Sequence, residues 1–178
     1  MNNAAAKSGA RILIVDDDPV VRDSLGKWFE SEGFQATTLP GAREVLEQIQ
    51  NSRWDAALID IKMPGIDGME LQQRLREIDP ELPVIIMTGY ASIDTAVKAL
   101  KRGAYDYITK PFDPDELVHL VSNAVEHRWA KREVVRLREN LEEVFPNTRL
   151  IGQSESMKRV IESIETVAPT DATVLITG

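Results

Sequence analysis

Cysteine is absent from all 178 residues, which excludes a disulfide framework and any thiol chemistry and suits a reducing compartment such as the cytoplasm. A basic excess is also lacking. The 21 Lys and Arg face 29 Asp and Glu, a net charge of −8, so the chain carries no general electrostatic footprint for nucleic acid. Long apolar runs are missing too. The longest nearly uninterrupted one, Leu82 to Met87, is far short of the ~20 residues a membrane helix requires. The opening Met1-Asn-Asn-Ala-Ala-Ala-Lys-Ser-Gly-Ala10 lacks the apolar core of a signal peptide. The expectation is a soluble cytoplasmic protein with no membrane partner, long enough for one well-packed domain and something smaller.

Strand and helix signals alternate five times. Short apolar runs at about 11–15, 34–39, 55–59, 83–88 and 105–109 read as buried parallel strands. Amphipathic stretches separate them and carry start signals. Asp18-Pro19 reads as an N-cap with proline at the first helical position. Asp67-Gly-Met-Glu70 and Asp113-Pro-Asp-Glu116 read as capping boxes, Ser92 as a further cap, and Gly103 as a stop. The helix starting near Gly41 has the weakest signal. The pattern predicts a doubly wound α/β domain with right-handed crossovers.

Chemistry in such sheets sits beyond the carboxyl ends of the strands. Asp16 and Asp17 end the first run, Asp60 ends the third and Lys110 ends the fifth. Three converging carboxylates require raised pKa values or a compensating cation, a hard metal such as Mg²⁺ together with Lys110. Phosphoryl chemistry is the expectation. Each signal has a plain alternative: Asp-rich turns cap helices, Pro and Gly mark turns, Thr88 fits a satisfied strand-end hydroxyl, and Tyr107 fits a core residue.

Together these residues resemble the receiver domains of two-component response regulators, over about Arg11 to His127. The resemblance is carried by Ile14-Val-Asp-Asp-Asp18, Ile59-Asp-Ile-Lys-Met-Pro-Gly65, Asp67-Gly68, Met87-Thr-Gly89, Gly103-Ala-Tyr-Asp-Tyr107 and Lys110-Pro-Phe112. It implies a flavodoxin-like (βα)5 fold with a parallel sheet of strand order 2-1-3-4-5. It further implies that Asp60 accepts a phosphoryl group from a sensor histidine kinase. Asp17, Asp60 and the backbone carbonyl of Lys62 would hold Mg²⁺, with Asp16 reaching it through water. Lys110, aimed by a cis peptide before Pro111, would pair with a phosphoryl oxygen. Thr88 and Tyr107 would switch the face made by the fourth helix, fifth strand and fifth helix. A haloacid-dehalogenase phosphatase fits less well, because the position two residues after its nucleophile would be Lys62 rather than Asp. A flavodoxin-like cofactor binder fits less well because Asp16-Asp-Asp18 would repel its phosphate. The alternative within the family is a receiver acting as a phosphorylation-independent dimerisation scaffold.

Four segments are expected: a tail over 1–10, the receiver over 11–127, a helical linker over 128–146, and a start of another domain over 147–178. From Pro114 to Phe145 neither glycine nor internal proline interrupts the fifth helix. Leu120, Asn123, His127, Ala130, Val134, Leu137, Leu141 and Val144 recur on a heptad, a pattern suited to a two-stranded coiled coil and a homodimer. The clean heptads favour control in which the unphosphorylated dimer restrains the domain beyond the linker. Past Pro146, Ser154 to Ala168 predicts an amphipathic helix and Thr173-Val-Leu-Ile176 a strand. Leu150-Ile-Gly-Gln-Ser-Glu-Ser-Met157 and Thr173-Val-Leu-Ile-Thr-Gly178 resemble the start of the AAA+ ATPase domain of NtrC-like sigma-54 activators. Gly178 would open the phosphate-binding loop, whose lysine and Ser/Thr the sequence does not include, so no ATPase activity is expected of this chain. By resemblance, the longer protein would contact DNA and sigma-54 RNA polymerase through other segments.

Overall fold

The computed structural model describes the backbone of residues 9–49, 53–89, 93–144, 154–171 and 173–175. Two compact units result, Met1–Val134 and Val135–Gly178. In the first, β1 (Arg11–Val15), β2 (Gln35–Leu39), β3 (Ala56–Asp60), β4 (Val84–Thr88) and β5 (Asp106–Thr109) form one parallel sheet ordered β2-β1-β3-β4-β5. This is the expected 2-1-3-4-5 order. The helices are α1 (Pro19–Ser31), α2 (Ala42–Gln48), α3 (Gly68–Ile78), α4 (Ile93–Lys101) and α5 (Pro114–Val144).

Side chains alternate across a strand, and both faces of this sheet are covered, so each apolar run feeds two cores. Leu13, Val15, Ala57, Ile59 and Ile86 pack on one face with Val45 of α2, Leu71 and Leu75 of α3 and Ala99 of α4. Ile12, Ile14, Leu58, Ile85 and Met87 pack on the other with Leu25 and Phe29 of α1 and Leu117, Val121 and Ala124 of α5. Burying a side chain of this size contributes roughly 1.5–3 kcal/mol.

The helix starts follow the sequence. Asp18 Oδ1 accepts from Val20 N at 2.8 Å with Pro19 opening α1. Asp67 Oδ1 accepts from Glu70 N at 2.8 Å to cap α3, and Asp113 Oδ1 accepts from Asp115 N at 2.8 Å at the start of α5. Gly41 precedes α2 without a side-chain cap, in keeping with its weak signal. Ser92 lies outside the described residues. Among the described residues no helix is long and apolar enough to cross a membrane.

In the second unit, α6 (Glu155–Val167) is capped by Ser154 Oγ, which accepts from Met157 N at 3.2 Å. None of its residues is buried; Val160 and Ile164 stand exposed. The expected strand over 173–176 is not formed: residues 173–175 are in no strand, and Ile176 lies outside the described residues. A strand exists through a ladder of inter-strand hydrogen bonds, and the described residues 173–175 belong to none.

Candidate functional site

The sheet order sets β1 beside β3 and β4 beside both β3 and β5, so four strands present their carboxyl ends along one edge. Asp16 follows β1, Asp60 closes β3, Thr88 closes β4 and Lys110 follows β5. Lys110 Nζ donates to Asp16 Oδ2 at 2.5 Å and to Asp60 Oδ1 at 2.6 Å. Both carboxylates are buried, at 1% and 6% exposure. Their remaining oxygens are occupied by main-chain donors: Asp18 N to Asp16 Oδ1 at 3.0 Å, and Lys62 N to Asp60 Oδ2 at 2.7 Å. Buried carboxylates are tolerated where paired and hydrogen-bonded in this way.

Burial alone would lower the Lys110 pKa. The hydrogen bonds and charges of Asp16 and Asp60 outweigh it and hold the ammonium above its usual 10.5. Lys110 is therefore the compensating cation for two of the three acids. Asp17 is exposed and makes no hydrogen bond or ion pair among the described residues. Three carboxylates against one ammonium leave two negative charges. Among the described residues no three acidic or imidazole groups stand close enough to be a ready-made metal ligand set. The donors are nevertheless hard oxygens, and the uncompensated charge matches a divalent ion.

Thr88 is buried, and its carbonyl accepts from Lys110 N at 2.7 Å, tying the β4 and β5 ends together. The Lys110–Pro111 peptide is cis. Lys62 stands exposed in the β3–α3 loop. Tyr107 is 37% exposed on β5, and its N–H donates to Asp106 Oδ1 at 2.8 Å. Val134 and Leu137 are exposed on α5, whereas the side chains of Leu141 and Val144 lie outside the described residues.

The heptad positions Asn123, His127, Ala130 and Val134 are rotated by roughly 100° around α5 from Leu117, Val121, Ala124 and Arg128, which enter the fold, whereas the first heptad position, Leu120, still packs against that core. His127 packs its ring on Tyr105, centroids 5.8 Å apart.

Two groups of contacts escaped the sequence reading. Arg22 Nη1 donates to the Asp16 carbonyl at 2.7 Å, fixing the turn that carries Asp16 and Asp17. Its signal was one helical turn of spacing from the Asp18 cap. A second group lies where β3 begins, away from the acids. There Asp55 accepts from Arg11 N at 2.9 Å, Trp129 Nε1 at 3.0 Å and Arg132 Nη1 at 3.0 Å. Arg128 donates to Asp79 Oδ2 at 2.6 Å. These α5 arginines thus reach back to carboxylates of the fold.

The family model described as the response regulator receiver domain matches residues 12–122. The C4-dicarboxylate transport transcriptional regulatory protein DctD of Pseudomonas aeruginosa is 41% identical over 170 residues, covering 94% of this chain and 37% of that protein. The crystal structure of NtrX from Brucella abortus in complex with ADP superposes with a TM-score of 0.71 at 36% identity, over 91% of this chain and 35% of that one. The solution structure of the beryllofluoride-activated NtrC4 receiver domain dimer gives 0.64 at 35% identity, over 66% of this chain and 98% of that one. The chain thus spans about a third of the length of the curated relatives it matches.

Proposed function

Because this chain belongs to the response regulator receiver domain family, we propose that its Asp60 accepts a phosphoryl group from the phosphohistidine of a sensor histidine kinase. The carrying observation is the buried Asp60 carboxylate at the end of β3, held between the Lys62 N–H and the Lys110 ammonium with Asp16 beside it. An Asp60 oxygen forms the O–P bond as the donor's N–P bond breaks. The electron pair leaves with the imidazole, and Asp60 becomes an acyl phosphate. Lys110, protonated at neutral pH, turns from the acids to a phosphoryl oxygen and offsets its charge. Arg22 and the Asp18 N–H hold Asp16 in place throughout.

We propose that Mg²⁺ joins this site, held by Asp17, Asp60 and the Lys62 carbonyl with Asp16 alongside, hard oxygen donors of the kind it prefers. Its charge would shield the carboxylates from the incoming phosphoryl oxygens.

The output follows from a local charge change. The Thr88 hydroxyl would bond a phosphoryl oxygen and draw its loop inward, and Tyr107 would turn to follow. The face of α4, β5 and α5 would be re-shaped. Because α5 continues past the receiver, the exposed heptad of Val134 and Leu137 would pass that change to a homodimer seam, continued by Leu141 and Val144. The NtrC4 receiver, described as a dimer, supports this reading. In the longer protein the receiver would govern a sigma-54 activator ATPase. This chain itself would carry out only its own phosphoryl transfer and dephosphorylation.

Intact mass after incubation with a small-molecule phosphodonor and Mg²⁺ tests the reading. One phosphoryl gain is expected for the wild type and none for Asp60→Asn. A folded, Mg²⁺-binding wild type that gains nothing from either a phosphodonor or its kinase would leave the scaffold reading in its place.

A further inference from the structure

The start of α3 approaches the Asp60 backbone more closely than a side chain permits. Gly68, the first residue of that helix, donates its N–H to the Ile61 carbonyl at 3.0 Å. A Cβ built on Gly68 would overlap the Asp60 carbonyl oxygen. It would also stand 2.9 Å from the Asp60 carbonyl carbon and 3.0 Å from Ile61 Cα. All three neighbours are backbone, so no side chain can swing aside.

Little around them can yield. Ile61 N donates to the Met87 carbonyl at 3.0 Å, which fixes the turn to β4. The Asp60 carboxylate is held by Lys62 N at 2.7 Å and by Lys110 at 2.6 Å. On the helix side, Asp67 caps α3 through Glu70 N, and Met69, Leu71 and Leu75 are buried in the core. An added methyl would therefore move the 60–62 turn, the segment that carries the phosphoacceptor and the Lys62 carbonyl.

We propose that Gly68 is a positioning residue for phosphoryl transfer: by lacking a side chain it lets α3 abut Asp60 and so sets the carboxylate and the Lys62 carbonyl relative to Asp16 and Lys110. This inference rests on the proposed function of Asp60. It assigns Gly68 a steric role, since its φ is not in the left-handed region.

The test compares Gly68→Ala with Val121→Ala, a cavity variant in the α5 face of the core. Mg²⁺ binding is measured by titration calorimetry, phosphorylation by intact mass against time, and stability by urea unfolding. Gly68→Ala is expected to weaken Mg²⁺ binding and slow phosphorylation at saturating Mg²⁺, each at least tenfold. Val121→Ala should lose stability but stay within twofold of the wild type in both. A folded Gly68→Ala with wild-type affinity and rate overturns the proposal, as does an equal loss in both variants. Should Gly68→Ala fail to fold, Asp67→Ala loosens the same helix start without adding atoms. A two- to fivefold weaker Mg²⁺ affinity then supports the proposal, and wild-type affinity overturns it. A wild-type chain that neither binds Mg²⁺ nor gains a phosphoryl group would remove the function itself, leaving nothing for Gly68 to position.

Discussion

The Arg128–Asp79 pair offers a test in which the two partners respond unequally. Arg128 is 2% exposed, its Nε has no hydrogen-bond partner among the described residues, and Asp79 Oδ2 takes its Nη2 at 2.6 Å. Asp79 keeps 34% of its side chain in solvent. Deleting Asp79 strands a charge that water cannot reach, whereas deleting Arg128 strands one that can be hydrated. Leaving the buried charge of such a pair without its partner costs roughly 3–5 kcal/mol, and the partial exposure of Asp79 places Asp79→Ala near ~3 kcal/mol. Arg128→Met keeps most of the volume and leaves a hydrated carboxylate, so it should cost about 1 kcal/mol or less. The double variant should recover to within about 1 kcal/mol of the wild type, because no buried charge remains. Urea unfolding of the four proteins measures the cycle. For a unit of this size the Asp79→Ala loss corresponds to a fall in Tm of roughly 10 °C or more. Hydrogen exchange should show amides near residues 126–134 opening first in that variant. The reasoning fails if Arg128→Met costs as much as Asp79→Ala, or if the double variant is no better than the worse single.

Other outcomes rest on contacts of the same kind. The raised Lys110 pKa means that its contribution to stability is fully present below the unfolded value of 10.5 and is lost as pH rises through the folded value. In Mg²⁺-free buffer the gap in unfolding free energy between wild type and Lys110→Met should be flat from pH 7 to 9.5 and narrow above about pH 10.5. A gap that narrows toward acid in that range would contradict the pairing. Leu137 is 50% exposed, so Leu137→Asp should leave the receiver's stability within about 0.5 kcal/mol of the wild type while abolishing a dimer detected by light scattering. A wild type that is monomeric at micromolar concentration before phosphorylation would refute the restraining-dimer arrangement.

Much of the fold was legible because its physics is local. The runs at Arg11–Val15 and Ala56–Asp60 are apolar on both faces since both faces are covered, and the Asp18 and Asp67 caps sit within three residues of the amides they satisfy. The site was legible as a set of strand-end residues, because a parallel sheet carries all such ends to one edge. What stayed hidden depends on distance along the chain. Lys110 lies 94 residues from Asp16, and Arg132 lies 77 from Asp55; no periodicity announces either bond. The steric demand on Gly68 was equally silent, since a missing atom leaves no pattern. The strand expected over 173–176 shows the converse: Thr173 and Val174 favour a strand locally, but a strand exists only with a neighbour, and the described residues 173–175 belong to none.

The two faces of α5 can drift apart without conflict. Leu117, Val121, Ala124 and Arg128 answer to the receiver core, while Ala130 and Val134 answer to whatever meets the neighbouring face. Substitutions that re-code the second set need not disturb the first. Such a helix lets a duplicated gene acquire a private dimer partner, or a designer install one, while the receiver domain stays intact.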